Sequence, residues 1–557
     1  MAVVDSCVDW ITFPMCRLGC LVCLELNLYV QVCGFDPDPS LWTFVTRNRQ
    51  HPCRMIVRHL KHACLAWLLS TGCKVLSCHF SQEASFETPY WHRYFPDKRI
   101  RGFDEMPTVG PVTEEYKNFK IHEAYQRWVL EVGHVVKELF SDGSCCVHVY
   151  HKDDFVTIYR NDGKYPLRKS HQVIARYRRD RPHLYNSVGL GPGMGAEWHY
   201  LRRMLPSGVG GNAYLPLRQQ LEEVADDFVD LVQSNLDENN EIDILPYMFR
   251  WAFESIGVIT LNRRLNALAK VKNEEAENLI EAAHLTNEII FLSNVGDFEK
   301  QYERLIPAQD YFAKVIMAYL LEANLDPEGS CLVNKLSAEG ASPKDILTLI
   351  LDLFQGAIGT VPLTLNWALY QVCRCPGIQE RARKDLLRIM PNKDSRYYES
   401  AGRRVELLFQ ASNASPIVQA ILRETLRLSP PAIGNGRINS KDLVLGGYLV
   451  PAGNMIVLQS QAACRLEEYF ERPLEFIPDR FLDSEKYHKK GGVNRPFGFG
   501  PRACIGQPFA HGQLTLALSK ILRNFEVTYN REEVGIINRL HNEPDRPVIF
   551  KMEQVPH

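Results

Sequence analysis

Phe497-Gly498-Phe499-Gly500-Pro501-Arg502-Ala503-Cys504-Ile505-Gly506 is the stretch on which the reading of this chain turns. It sets one cysteine between two glycines, with an arginine two residues upstream. The nucleophilic and metal-binding form of cysteine is the thiolate, which a bound metal keeps deprotonated. Gly500 and Gly506 carry no Cβ, so the chain here can pass close beneath a flat ligand. Backbone N–H groups of such a loop can point at the sulfur and moderate its electron donation. Arg502 can hold a carboxylate through a charge-assisted, bidentate contact. The competing reading is a free buried cysteine in a glycine-rich turn, because cysteine often packs as a small hydrophobe.

Phe497, Gly500, Arg502, Cys504 and Gly506 together match F-x-x-G-x-R-x-C-x-G. For this composition a chance match has a probability on the order of 10⁻⁴. The chain therefore resembles a cytochrome P450. The resemblance implies haem b (iron protoporphyrin IX), with Cys504 ligating the iron, Phe497 and Gly500 in its loop, and Arg502 on a propionate.

The chain has 557 residues, 45% hydrophobic and 23% charged, which are ordinary globular values. Its net charge of −2 excludes a bulk basic field for nucleic acid. Most of the 16 cysteines lie before residue 80, and the later ones form no zinc-type C-x-x-C pairs. This is no disulfide framework, and a reducing compartment suits it. Residues 39–82 contain no Asp or Glu but carry Arg47, Arg49, Arg54, Arg58, Lys61 and Lys74. That composition is like a mitochondrial presequence, displaced from the N-terminus. Translation from Met55 would put a basic amphipathic segment first; a poorly ordered tail is the alternative. The apolar run Ala63 to Cys73 is about ten residues short of a membrane span, which disfavours a microsomal anchor.

Further segments carry the resemblance. Tyr159 to Arg168 contains a G-K-Y-P-x-R segment like that of the mitochondrial clan, and Trp251 to Gly257 is similar to that clan too. Trp198 and Arg202 stand at the i, i+4 spacing of W-x-x-x-R, which puts ring and guanidinium on one helical face. The resemblance makes both of them, and Arg437, partners of the haem propionates. Glu424 and Arg427 match E-x-x-R, and Arg480 completes the family's scaffold ion network below the cysteine loop.

Ser342-Pro343-Lys344-Asp345 is a capped helix start and Cys375-Pro376-Gly377 a stop. Between them lie about 33 residues, or roughly 50 Å of helix. Asp352 interrupts the apolar run from Ile346 to Phe354, which favours a buried helix over a membrane span. Halfway along, Gly356-Ala357-Ile358-Gly359-Thr360-Val361-Pro362 aligns with the family's oxygen-binding kink. Two glycines and Pro362 weaken the helix there. Thr360 is the expected catalytic residue, holding a water or dioxygen by its hydroxyl. The sequence departs from the pattern at Gly359, where the family has an acid, and at Val361, where a second Thr is common.

The expected architecture is mainly α with small antiparallel β-sheets, the cytochrome P450 fold. Residues 1–100 form an N-terminal extension, presequence-like over about 55–82, and residues 101–557 the haem-thiolate domain. The expected activity is monooxygenation of a lipophilic substrate, a steroid, sterol or similar, with dioxygen and electrons from an adrenodoxin-like ferredoxin. Gln419 and Gln507-Pro508 replace basic residues that ferredoxin-dependent relatives carry, while Arg423 is present. The expected location is the matrix side of the mitochondrial inner membrane, with peripheral membrane association, ahead of the endoplasmic reticulum. Gly359 also motivates a thiolate-haem isomerase or lyase as an alternative, and a non-catalytic haem-binding protein is a further one.

Overall fold

The structure, a computed structural model, describes residues 88–205, 217–294, 296–323, 331–389, 415–482 and 491–555. The presequence-like segment and Met55 lie outside these residues. Packing is already in place at Tyr90 and Trp91, both buried, with the Tyr90 hydroxyl donating to Asp154 at 2.6 Å.

The fold is mainly helical. Around the site stand α1 (Gly195–Met204), α2 (Leu245–Leu261), α3 (Glu274–Leu292), α4 (Phe298–Ala323), α5 (Pro343–Cys373), α6 (Pro416–Leu428) and α7 (Gln507–Asn524). Helix α5 spans 31 residues and begins where its sequence says, the Ser342 hydroxyl accepting the Asp345 N–H. It is the axis of the larger apolar core: Phe354 meets Phe253 of α2 at 5.6 Å and Phe312 of α4 at 6.4 Å, both edge to face. Its most apolar stretch is thus covered by protein. Asp352 is matched inside the fold by Arg178 at 2.7 Å and by the Leu190 N–H at 2.6 Å. Helical assignment runs through Pro362 without a break.

The strands are short. Those of the largest sheet are β1 (Thr108–Val109), β2 (Val135–Leu139), β3 (Cys145–Val149), β5 (Asn435–Ile438) and β8 (Met455–Leu458), in the order β1-β2-β3-β8-β5. This sheet is mixed, with β1 parallel to β2 and β3 parallel to β8. The others are antiparallel: β4 (Glu241–Asp243) and β9 (Phe525–Thr528) flank β12 (Ile549–Gln554), β6 (Leu443–Leu445) pairs with β7 (Tyr448–Val450), and β10 (Ile536–Arg539) with β11 (His541–Pro544). No disulfide joins cysteines among the described residues.

Under the cysteine loop, α6 presents Glu424 and Arg427, both fully buried. Arg427 donates to Glu424 at 2.7 and 2.8 Å, and Arg480 adds a third bond at 3.0 Å. The remaining Arg427 donors go to the carbonyls of Cys464, Pro473 and Glu475, and the Ile477 N–H donates to Glu424. Burying such ions is tolerable only when every donor and acceptor is matched, as it is here.

Candidate functional site

The loop Phe497–Gly506 doubles back on itself. The Cys504 N–H donates to the Phe497 carbonyl at 2.8 Å, while Gly498 and Gly500 sit at φ +71° and +72°. Backbone of that handedness explains both glycines. Gly506 has an ordinary φ, and a Cβ there would stand 3.9 Å from the Cys504 sulfur, an unforced contact.

Cys504 ends the loop immediately before α7. Its surface is open, yet protein surrounds it, because the opening is a cavity of about 420 Å3. Enclosure pushes the thiol above its usual value, and the Gly506 N–H, Arg202, the Gln507 N–H and Arg168 pull it back. Two N–H groups at a helix start and two guanidiniums are fitted to a thiolate.

Thr360, Trp198, Arg202, Phe497, Arg502 and Cys504 all line this one cavity. Thr360, on the α5 side, donates its hydroxyl to the Gly356 carbonyl at 2.7 Å. Trp198 and Arg202 lie on the same side of α1, as their spacing requires. Arg502 stacks over the Trp198 ring at 4.0 Å and donates to the carbonyls of Pro166, Leu190 and Gly193. Arg437 is placed otherwise: strand β5 aims it at Asp162, with bonds of 2.9 and 3.0 Å, and at the Phe499 carbonyl, away from the cavity lining. Gly500 shapes the loop without lining the cavity.

Arg168 is a lining residue for which the motif alone supplied no role. Its hydrogen bonds go to the Gly191 carbonyl, and burial, then Arg437, lower it to about 10. Arg502 is lowered to about 9 by burial and by Arg168 and Arg437, and Arg202 is lowered by burial. None of these three forms an ion pair among the described residues. The nearby carboxylates are already committed, Asp162 to Arg437 and Asp352 to Arg178. An enclosed cavity with three uncompensated guanidiniums on one side and a thiol on another asks for an apolar ligand carrying two negative charges and a metal. Iron protoporphyrin, with its two propionates, meets that demand.

The Arg168 charge gives a direct test. Arg168→Leu is expected to leave stability within about 1 kcal/mol, since it removes a buried charge with no carboxylate partner. It is expected to weaken haem retention about tenfold, the equivalent of about 1.4 kcal/mol. The rate of haem transfer from the holoprotein to a scavenging globin measures this.

Other lining residues escaped the motif reading: His171, Asn287, Gln355 and His541. The one signal for them in the sequence is the departure at Gly359.

A profile of the Cytochrome P450 family matches residues 100–545. Among curated relatives, "Cytochrome P450 302a1, mitochondrial" of Drosophila melanogaster is 29% identical over 86% of this chain and 98% of its own length. Ecdysone 20-monooxygenase of Drosophila melanogaster is 27% identical, covering 78% and 86%. The mitochondrial cholesterol side-chain cleavage enzyme of Hypanus americanus is 26% identical, covering 73% and 80%. With the profile spanning most of the chain, the cysteine loop and the long helix lining one cavity, and the Glu424–Arg427–Arg480 network in place, this chain belongs to the cytochrome P450 family.

Proposed function

We propose that this protein is a haem-thiolate monooxygenase of the mitochondrial type, hydroxylating a steroid, sterol or similar lipophile. Two electrons from a ferredoxin, two protons and one dioxygen place one oxygen atom in a substrate C–H bond and leave the other as water. The observation that carries the reading is Cys504 opening, just before α7, onto a cavity also lined by Arg168, Arg202 and Arg502, which form no ion pair among the described residues.

In this reading Cys504 ligates the iron, with the Gly506 and Gln507 N–H groups moderating the charge on sulfur. Arg168, Arg202 and Arg502 hold the propionates, with Trp198 supporting Arg502 from below its plane. Arg437 contributes through the Asp162 pair and the Phe499 carbonyl, fixing the loop that carries Cys504. The haem, when bound, supplies the oxygen activation, which thiolate donation favours. Thr360 holds a proton at its hydroxyl on the opposite wall. Apolar side chains such as Ile290, Phe312 and Val361 make the same chamber a place for a lipophile.

The mitochondrial type is supported by relatives whose names carry that word, and the steroid by two whose names state ecdysone and cholesterol. For ferredoxin docking, Arg423 is exposed on α6. Gln419 is buried and bonded to Thr515 at 2.7 Å, so its side chain belongs to the packing of α6 against α7. The presequence-like segment about 55–82 belongs to the same proposal, followed by a haem domain over 101–557 and peripheral association with the inner membrane.

Purified holoprotein, a ferredoxin with its reductase, reductant and a panel of steroids test the reading. Reductant and oxygen consumption with a gain of one oxygen mass in the product is the expected result. Turnover of a hydroperoxide without reductant would favour the isomerase reading that Gly359 motivates. Tight steroid binding without turnover of either kind would make it a binding protein.

A further inference from the structure

Position 359 has lost its side chain, but the space is not empty. A Cβ built on Gly359 would lie 2.6 Å from Asn287 Nδ2, 2.8 Å from His541 Cε1 and 3.1 Å from His541 Nδ1. Real Cβ atoms do not come so close to such groups. An amide from α3 and an imidazole from β11 therefore occupy the room an acidic side chain would need. Both line the cavity beside Thr360.

The two groups are held where they stand. Gln355, one turn before Gly359 on α5, donates to Asn287 Oδ1 at 2.7 Å and to the Ala283 carbonyl at 2.8 Å. Its own Oε1 is buried without a hydrogen-bond partner. Asn542, next to His541, is fully buried and donates through its side chain to the Pro430 carbonyl at 2.6 Å and to Gln461 at 2.9 Å. Its N–H reaches the Pro431 carbonyl at 3.0 Å, and its carbonyl accepts the Trp367 ring N–H at 3.1 Å. Leu540, on the other side of His541, has φ +75°, a handedness costly for a leucine. A strained tip beside a pinned asparagine aims one imidazole at the cavity.

Glu543, two residues along β11, is paired with Arg539 at 3.5 Å. Burial raises Glu543 to about 7, with Arg539 lowering it and Glu288 raising it. Such a carboxyl both gives and takes protons near neutral pH. Burial, then His284, lowers His541 to about 4, which leaves the ring neutral, one nitrogen a donor and the other an acceptor. The titratable and charged groups around the pair are His171, His284, Glu288 and Arg539; Asp352, further along α5, is committed to Arg178.

We propose that His541, which fills the space at Gly359 together with Asn287, relays protons from solvent to the cavity wall at Thr360 and so takes the part of the acid missing from position 359. A proton from solvent water reaches one ring nitrogen, and the other ring nitrogen releases its own toward Thr360. No electron moves, and exchange with solvent restores the starting tautomer. The relay rests on the monooxygenase reading.

The test uses holoprotein with its ferredoxin system. His541→Ala is expected to lower product formation about 10²-fold while reductant consumption continues and hydrogen peroxide accumulates. The double variant His541→Ala/Gly359→Asp, which frees the space and restores the acid, is expected to recover most of the product yield. A readout independent of turnover is thermal unfolding: Gly359→Ala should destabilise the native protein and be close to neutral once His541 is alanine. His541→Asn, with the carbon monoxide difference spectrum as a check on the thiolate, replaces His541→Ala if the smaller side chain loses haem. Wild-type product yield in the histidine variants, or Gly359→Ala tolerated equally in both backgrounds, overturns the relay alone. Absence of reductant-dependent turnover in the wild type overturns the underlying reading and the relay with it.

Discussion

Replacing Cys504 by serine is expected to abolish turnover while leaving the fold intact. The sulfur faces a cavity, and the bond that closes its loop is made by backbone atoms, the Cys504 N–H and the Phe497 carbonyl. Serine keeps that bond and the handedness set by Gly498 and Gly500. Its hydroxyl does not ionise under conditions where a metal-bound thiol does, so the electron donation that a Cys504 thiolate would give a bound haem is lost. Product formation should fall by about 10³-fold or more, equivalent to about 4 kcal/mol of barrier. The midpoint of urea unfolding should move by less than about 1 kcal/mol in stability. The carbon monoxide difference band characteristic of a thiolate ligand should vanish with the activity.

Glu424→Ala should do the reverse, breaking the protein before it touches the chemistry. The carboxylate accepts from both nitrogens that Arg427 offers it, from Arg480 and from the Ile477 N–H, in a place closed to water. Without it Arg427 keeps three carbonyl partners but has no countercharge, at a cost of about 3–5 kcal/mol. Glu424→Gln keeps the shape but turns an acceptor into an amide facing guanidiniums, and should cost nearly as much. Urea unfolding of the holoprotein measures the loss, and haem content should fall in step with it. A Glu424→Ala variant as stable as the wild type would show that the network is dispensable to the fold.

Much of this molecule was legible in its sequence where one local rule sufficed. The Ser342 cap, Pro343 and Asp345 announced α5 within a residue or two, because capping is a contact between near neighbours. Glu424 and Arg427 were legible as partners because i, i+3 on a helix is a distance as well as a spacing. The same arithmetic put Trp198 and Arg202 together. Gly498 was passed over in favour of Gly506, although the positive φ falls on Gly498 and Gly500. A glycine in a motif does not say whether its backbone or its missing side chain is needed.

Other features depend on segments far apart in the chain. Arg437 reads as a propionate partner, yet Asp162 lies close enough to claim its guanidinium, and nothing in either local stretch says so. Arg168 gained a role only when the cavity put it beside Cys504 and Arg202 without a carboxylate of its own. The departure at Gly359 was visible from the start, but its filling by Asn287 and His541 was not. Those residues precede and follow it by 72 and 182 positions, the differences between 359 and 287 and between 541 and 359.

By itself, then, the order of residues determined the long central helix, the buried acid–arginine scaffold and the cysteine that matches the family motif. These follow from turns, caps and spacings of a few residues. Tertiary structure decided which arginines were left without countercharges and which side chains filled the room at Gly359, because burial and charge balance are sums over everything packed around a point.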